Sequence, residues 1–199
     1  LRLFAGACLI SFSPVFVALV QIAPTVSAFY RVLIGGTALA FVWRFGGTRA
    51  PLDRRAIVAL VAAAVFFALD LWFWHRSIVL IGPGLSTLLA NLQVFFMIAA
   101  GFVLFRERPS AVQLAAAPLA ILGLMLIFGG DRLGVEAGFR LGVVLGLLTA
   151  MSYAGYLLSM RRARRDAIDP LPAAEVAAVS LFVAMLLGAA SVVEGGSLA

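Results

Sequence analysis

Residues Ala56 to Ile78 read AIVALVAAAVFFALDLWFWHRSI, an apolar run long enough to cross a lipid bilayer as an α-helix. Inside this run stands Asp70, and a carboxylate near the bilayer centre costs about 2.5–3.5 kcal/mol on insertion scales. A charged group at that depth normally faces a cavity or a partner. Asp70 is therefore the first candidate for a functional residue.

The composition of the whole chain is that of a membrane protein. Hydrophobic residues make up 64% of it and charged residues 12%, whereas soluble domains carry about 25% charged residues. The net charge is +6, and all 15 basic residues are arginines, most of them between apolar runs. This pattern indicates membrane topology and argues against nucleic-acid binding. The single cysteine, Cys8, cannot form an internal disulfide, and neither a metal site nor a cofactor is predicted.

Seven apolar segments have the length that a bilayer requires or come close to it. An open sheet would leave backbone groups unpaired in lipid, so these segments must be helices. Most connections between them are short, which makes consecutive helices antiparallel. The sequence thus predicts an all-α, polytopic helical membrane protein with spans at about 3–23, 25–45, 56–78, 84–105, 112–129, 141–160 and 173–193.

The distribution of arginine predicts the orientation of these spans. With the N-terminus in the cytoplasm, eleven arginines fall in the inner segments and three in the outer ones, namely Arg76, Arg132 and Arg140. Cytoplasmic connections carry such an excess of basic residues. We therefore expect a multi-pass protein of the plasma (inner) membrane with a cytoplasmic N-terminus.

Four stretches of the chain form a recognisable pattern: SFSPVFVALVQIAPTVSAFYRVLIGGTALA (Ser11 to Ala40), LDLWFWHRSI (Leu69 to Ile78), STLLANLQVFFMIAAGFVLFRERPS (Ser86 to Ser110) and QLAAAPLAILGLMLIF (Gln113 to Phe128). They resemble the EamA-type carriers of the drug/metabolite transporter superfamily. The resemblance is best over the first five spans and weaker over Leu141 to Arg165. Its most specific elements are the FYR and RER motifs.

This resemblance implies a fold of ten spans built from two inverted five-helix repeats, the arrangement of many secondary carriers. Residues 1–130 would be the first repeat, and 141–199 would begin the second. On this reading the chain is a fragment that lacks about three C-terminal helices. The resemblance also implies a non-enzymatic transporter of small metabolites, amino-acid-like or drug-like and often exported. Its partners would be a small-molecule substrate and the bilayer, and a homodimer is compatible with the sequence.

Polar residues on five spans fall at similar depths in the bilayer. At 1.5 Å per residue, Asp70, Arg31 and Asn91 lie roughly 12, 9 and 10 Å from the outer ends of their spans, and Ser13 and Tyr153 lie nearer the middle. Carriers of this type bind substrate near the midplane between repeats. We therefore predict that these five residues bind substrate, and that Asp70 also serves in proton coupling.

Helical periodicity adds a sixth candidate, because residues three and four positions apart share a face. On the third span Trp74 shares such a face with Asp70, so aromatic side chains would flank the acid. Asn91 and Gln93 point in different directions on the fourth span, and Asn91 is the one expected to line the cavity. The predicted site therefore consists of Arg31, Asp70, Trp74, Asn91, Ser13 and Tyr153.

Other interpretations of these residues stay open at this stage. Asp70 and Arg31 could form a purely structural pair that sets helix register, and Trp72, Trp74 and His75 could belong to an interfacial aromatic belt. Seven spans could also form a complete seven-helix receptor, although the absence of lysine rules out a retinal Schiff base. A membrane-embedded hydrolase has less support, because the chain has one histidine and no clustered carboxylates.

Overall fold

The computed structural model describes residues 4, 8, 11–20, 22–46, 54–128, 137–164 and 173–195, and these residues contain helices but no strand. This agrees with the predicted all-α fold. The helices are α1 (Ser13–Leu19), α2 (Pro24–Gly46), α3 (Arg54–Ile81), α4 (Pro83–Ala90), α5 (Gln93–Phe105), α6 (Ala111–Phe128), α7 (Ala137–Ala163) and α8 (Ala173–Val193).

Within the described residues, five segments are long and apolar enough to cross a membrane, which confirms a polytopic membrane fold. They correspond to five of the seven predicted spans. The predicted fifth span is occupied by α6, and the predicted first span lies partly outside the described residues. The five segments are Pro24–Phe45, Arg54–Ile81, Pro83–Phe105, Ala137–Ala163 and Ala173–Val193.

The fourth span is not one continuous helix, in contrast to the uninterrupted segment expected from the sequence. It divides at Asn91 and Leu92 into α4 and α5. There the amide of Leu92 donates to the carbonyl of Leu89 at 3.0 Å, and that of Phe95 donates to Leu92 at 2.9 Å. These are bonds to the third residue back, so the backbone is tightened into a 3₁₀ turn. No proline or glycine marks this position.

Close helix contact through glycine holds α3 against α7. A Cβ added at Gly142 would lie 2.5 Å from Cγ2 of Ile81, and one at Gly155 would lie 2.7 Å from the ring of Phe66. The Ser77 hydroxyl donates to the Gly142 carbonyl at 2.9 Å across the same interface. These contacts make the two helices antiparallel neighbours. Small residues have this role in membranes, where lipid is as apolar as the side chains and close packing drives helix association.

The pairing of α2 with α8 follows the same rule. A Cβ at Gly36 would lie 3.0 Å from that of Ser180, and one at Gly188 would lie 3.2 Å from the ring of Phe29. The core between α2, α3, α7 and α8 is accordingly rich in alanine and valine. Its buried members are Ala28, Val32, Leu60, Ala63, Ala64, Ala68, Leu71, Met160, Val179, Val183, Ala184 and Leu187.

At one end of the bundle, Glu194 joins α8 to α2 and α3. Its carboxylate accepts hydrogen bonds from the Thr25 hydroxyl at 2.6 Å and the Trp72 indole at 2.9 Å. It also forms an ion pair with Arg76 at 2.6 Å. The Arg76 guanidinium lies 3.8 Å from the centroid of the Trp72 ring, a cation–π geometry. We call this end of the bundle the Glu194 end.

At the opposite end, Glu107 joins the connection after α5 to α7. Its carboxylate pairs with Arg161 at 2.5 Å, and the Arg161 guanidinium lies 4.5 Å from the centroid of the Phe105 ring. Glu107 reaches this position because Arg106 adopts a left-handed conformation, φ 55°, and turns the chain sharply. The carboxylate then folds over Gly101, where a Cβ would lie 3.0 Å from Oε2. We call this the Arg161 end.

Replacement of Gly142 by alanine should destabilise the protein, because the new methyl group would meet α3 at overlapping distance. Overpacking of this kind typically costs about 1–3 kcal/mol. Gly138 lies one turn away on the same helix, and its Cβ would sit 3.9 Å from Leu80, an ordinary contact. Thermal unfolding in detergent should therefore show a lower Tm for Gly142→Ala and an unchanged or higher Tm for Gly138→Ala. Equal Tm values would contradict the close approach.

The Glu194 network should make stability depend on pH. Burial alone raises the pKa of the Glu194 carboxyl, but the donors Thr25, Trp72 and Arg76 outweigh it, so the pKa lies below its usual value. The resulting stabilisation is fully present above the unfolded pKa, about 4.3, and is lost as pH falls through the lower folded value. Thermal unfolding followed across this range should show that Glu194→Gln removes this part of the pH dependence.

Thr25→Val supplies the matched test of the same network, since it keeps the shape of the side chain and deletes one donor to Glu194. We expect it to move the acid loss of stability to higher pH without abolishing it. A pH profile identical in all three proteins would mean that the network does not hold the carboxylate in its charged form.

Candidate functional site

Asp70 lies at the centre of the candidate site, in the interior of α3, with only 7% of its surface exposed. Trp74, predicted to share its helical face, is also buried, and so are Ala63 and Ser77 at helical spacing from Asp70. Among the described residues, Asp70 is the only acidic side chain in the interior of a span, because Glu107, Glu175 and Glu194 lie at helix ends. The fold thus keeps one carboxyl group deep between helices.

Arg31 of α2 approaches Asp70 without pairing with it directly. Its guanidinium lies 4.8 Å from the centroid of the Trp74 ring, and the residue is exposed. The charges of Arg31 and Asp70 act on each other, yet both belong to the described residues and no ion pair joins them. The structure therefore does not contain the direct pair required by the purely structural interpretation.

Two tyrosines of α7 lie within electrostatic range of Asp70. The charges of Asp70 and Arg31 both act on the hydroxyl group of Tyr153. The ring centroid of Tyr153 is 5.6 Å from that of Tyr156, which in turn stacks on Phe67 of α3 at 4.7 Å and 22°. An acid, a cation and a run of aromatic rings are thus contributed by three helices. We call Arg31, Asp70, Trp74 and Tyr153 the Asp70 cluster.

Two predicted site residues are not among those seen to interact with the Asp70 cluster. Ser13 is the half-buried first residue of α1, a helix that packs against α3 and α4. Asn91 stands at the break between α4 and α5, and its side chain is exposed. Their part in substrate binding remains a prediction.

Polar atoms do lie buried on either side of the break in the fourth span. Within the described residues, the Thr87 hydroxyl oxygen and Gln93 Oε1 are buried and have no hydrogen-bond partner. Helical periodicity alone favours Asn91 over Gln93 as the residue that lines the cavity. In the structure Asn91 is exposed, while Gln93 is the one with a buried polar atom. The 3₁₀ turn between them invalidates the regular angular spacing on which that choice depended.

His75 is a buried residue that the sequence analysis assigned only to an interfacial belt. It has 0% exposure, and its Nδ1 lies 2.8 Å from the Leu71 carbonyl, which can only accept. Nδ1 therefore carries the hydrogen, and Nε2 is left as a buried acceptor with no partner among the described residues. Trp74 is likewise buried, whereas Trp72 is half-buried and binds Glu194. The belt interpretation thus suits Trp72 and not its two neighbours.

Glu194 is not among the predicted site residues, because it follows the seventh span and lies outside the depth shared by the polar residues of the spans. One feature of the sequence does point to Glu194: Glu194, Thr25 and Arg76 all lie at span ends that are predicted to face the same side of the membrane.

No group of three or more histidine, cysteine or acidic side chains among the described residues could hold a metal ion.

The stacked rings beside Asp70 should contribute measurably to stability. Replacing Tyr156 by phenylalanine keeps the ring that stacks on Phe67, so the Tm should change little. Replacing it by leucine removes the aromatic pair, which is worth about 0.5–1.5 kcal/mol beyond buried area. Thermal unfolding in detergent should therefore rank Tyr156→Leu clearly below Tyr156→Phe. The reverse order would show that the hydroxyl group, and not the ring, is what α7 contributes here.

A comparison with known protein families agrees with this architecture. The model of the EamA-like transporter family matches residues 1–129, well over half of the chain. No curated protein and no solved structure matches it. The match favours transport over the receptor and hydrolase alternatives, because the family is one of transporters. The chain belongs to the EamA-like transporter family and is an integral, multi-pass membrane protein of the drug/metabolite transporter type.

Proposed function

We propose that this chain carries out secondary-active transport of small metabolites, amino-acid-like or drug-like, and exports them by alternating access. The observation that supports this most is the Asp70 cluster. A buried carboxyl group, an arginine and two aromatic side chains come together from α2, α3 and α7 within the membrane-spanning part of the bundle. A group of this kind is costly in a bilayer, and a solute binding site explains its presence.

The arrangement of charge in the cluster suits a solute with both signs of charge. Arg31 and Asp70 interact electrostatically but do not form an ion pair, so each can bind an opposite charge on the substrate. Arg31 would bind a carboxylate, and Asp70 would bind an ammonium group. Trp74, whose ring the Arg31 guanidinium contacts, and Tyr153 would supply apolar surface to the substrate. A zwitterionic or amphipathic metabolite meets these requirements.

The organisation of the helices supports transport between two inverted repeats. In this proposal residues 1–130 form the first repeat and 141–199 the beginning of the second, with the N-terminus in the cytoplasm of a cell with an inner membrane. The Asp70 cluster then takes α2 and α3 from one repeat and α7 from the other. Carriers built from inverted repeats bind substrate at that interface. Asp70 is also the group proposed to take up the coupling proton.

The site assignment is tested with Arg31→Ala and Asp70→Asn in the native protein, reconstituted in proteoliposomes. Counterflow of a panel of radiolabelled neutral amino acids measures binding and translocation without requiring a gradient. A lost hydrogen bond to a charged group typically costs about 1.5–3 kcal/mol, so each variant should reduce counterflow by roughly tenfold to a hundredfold. Arg44→Ala, at the far end of α2, is the matched control and should transport normally.

Unchanged counterflow in both variants would refute the proposed site. Proton coupling is tested separately, by asking whether an imposed pH gradient drives accumulation of the same amino acids above equilibrium. We expect the gradient to drive accumulation in the wild type but not in Asp70→Asn. If the pH gradient does not change amino-acid accumulation in the wild type, Asp70 has no role in proton coupling.

A further inference from the structure

We infer that the two ion pairs at opposite ends of the bundle are the closures of the transport path: Arg76–Glu194 closes one side and Glu107–Arg161 the other. This inference rests on the proposed function and adds a mechanism for opening. Each pair joins the segment proposed as the first repeat to the segment proposed as the second. The two together connect α3 to the end of α8, and the end of α5 to α7.

The closure at the Glu194 end is built from three donors on one carboxylate. Thr25 from α2, and Trp72 and Arg76 from α3, all bind Glu194 just beyond α8. The Trp72 ring lies beneath the Arg76 guanidinium. Loss of this network would free the end of α8 from both helices of the other segment at once.

The closure at the Arg161 end has one ion pair and a nearby break in its helix. Glu107 follows α5, and α5 is separated from α4 by the 3₁₀ turn at Asn91 and Leu92. Turns of this kind inside a helix often mark hinges. Glu107 and the ring of Phe105 join the end of α5 to Arg161 of α7. Rupture of the ion pair would leave the weaker ring contact and let α5 pivot at the break.

The Asp70 cluster lies between the two closures. Asp70 is about 9 Å from Arg76 along α3, and Tyr153 is about 12 Å from Arg161 along α7, at 1.5 Å per residue. Both pairs are formed in the structure, one on each side of the cluster along the helices. Both are partly exposed, with side-chain exposures of 23% and 36% in one and 51% in each partner of the other. Pairs this exposed are weak enough to break and re-form during a transport cycle.

The test measures access to the cluster from each side of the membrane. Cys8→Ser removes the native thiol, and Tyr153→Cys places a single reporter in the cluster. Its labelling by a membrane-impermeant maleimide is followed in right-side-out and inside-out vesicles. Glu194→Gln and Glu107→Gln are introduced one at a time into this background. Glu175→Gln, which alters an acid of α8 in neither ion pair, is the matched control.

Glu194→Gln should raise labelling about two- to fivefold from one face and lower it from the other, the change expected on losing a partly exposed ion pair. Glu107→Gln should do the opposite, and Glu175→Gln should match the parent protein. The charge-swapped pair Arg76→Glu with Glu194→Arg should restore the parent ratio in part, because it rebuilds the ion pair but not the hydrogen bonds from Thr25 and Trp72; a partial return separates gating from a failure to fold. Labelling that rises from the same face in both variants, or changes in neither, would overturn the inference.

This labelling uses no substrate, so its failure is distinguishable from failure of the proposed function. If labelling shifts as expected but Arg31→Ala and Asp70→Asn transport normally, the closures are supported and the substrate site is wrong. If transport depends on Asp70 but neither glutamate variant alters access, the site is supported and the closures are wrong.

Discussion

The structure depends on the close approach of α3 and α7. In water, two such helices would associate because their apolar surfaces leave the solvent. In a bilayer this driving force is absent, and association depends on how closely the two helices can pack. The glycines of α7 allow α3 close enough for the Ser77 hydroxyl to reach the carbonyl of Gly142. Because of this contact Asp70 on α3 and Tyr153 on α7 lie near each other, and the site exists only while the two helices remain in register.

The sequence predicted the residues whose position follows from regular geometry. Asp70 and Trp74 share a face at helical spacing, and both are buried. Arg31 and Tyr153 were placed by depth alone; the Arg31 guanidinium lies over the Trp74 ring, and Tyr153 is within electrostatic range of Asp70 and Arg31. Depth is predictable because a bilayer gives every span the same reference planes. The five longest spans were predictable for the same reason.

The direction in which a side chain points around its helix axis was less predictable than its depth. The residues that were wrongly placed differ from expectation in this direction. The 3₁₀ turn at Leu92 has no proline or glycine to announce it, and it changes which side chains of the fourth span face inward. His75 was read as interfacial because of its neighbours Trp72 and Trp74, although it lies one turn beyond the buried Leu71. Hydrogen bonds between distant segments, such as those of Glu194 with Thr25 and Trp72, depend on the packing of three helices and leave no local pattern.

The contact of Glu107 with Gly101 ties together two positions that no short motif connects. The carboxylate occupies the space that a side chain at 101 would need, and Arg106 holds it there in a backbone conformation that residues other than glycine seldom adopt. A side chain at 101 would therefore push aside the flexible end of Glu107 and weaken its ion pair with Arg161.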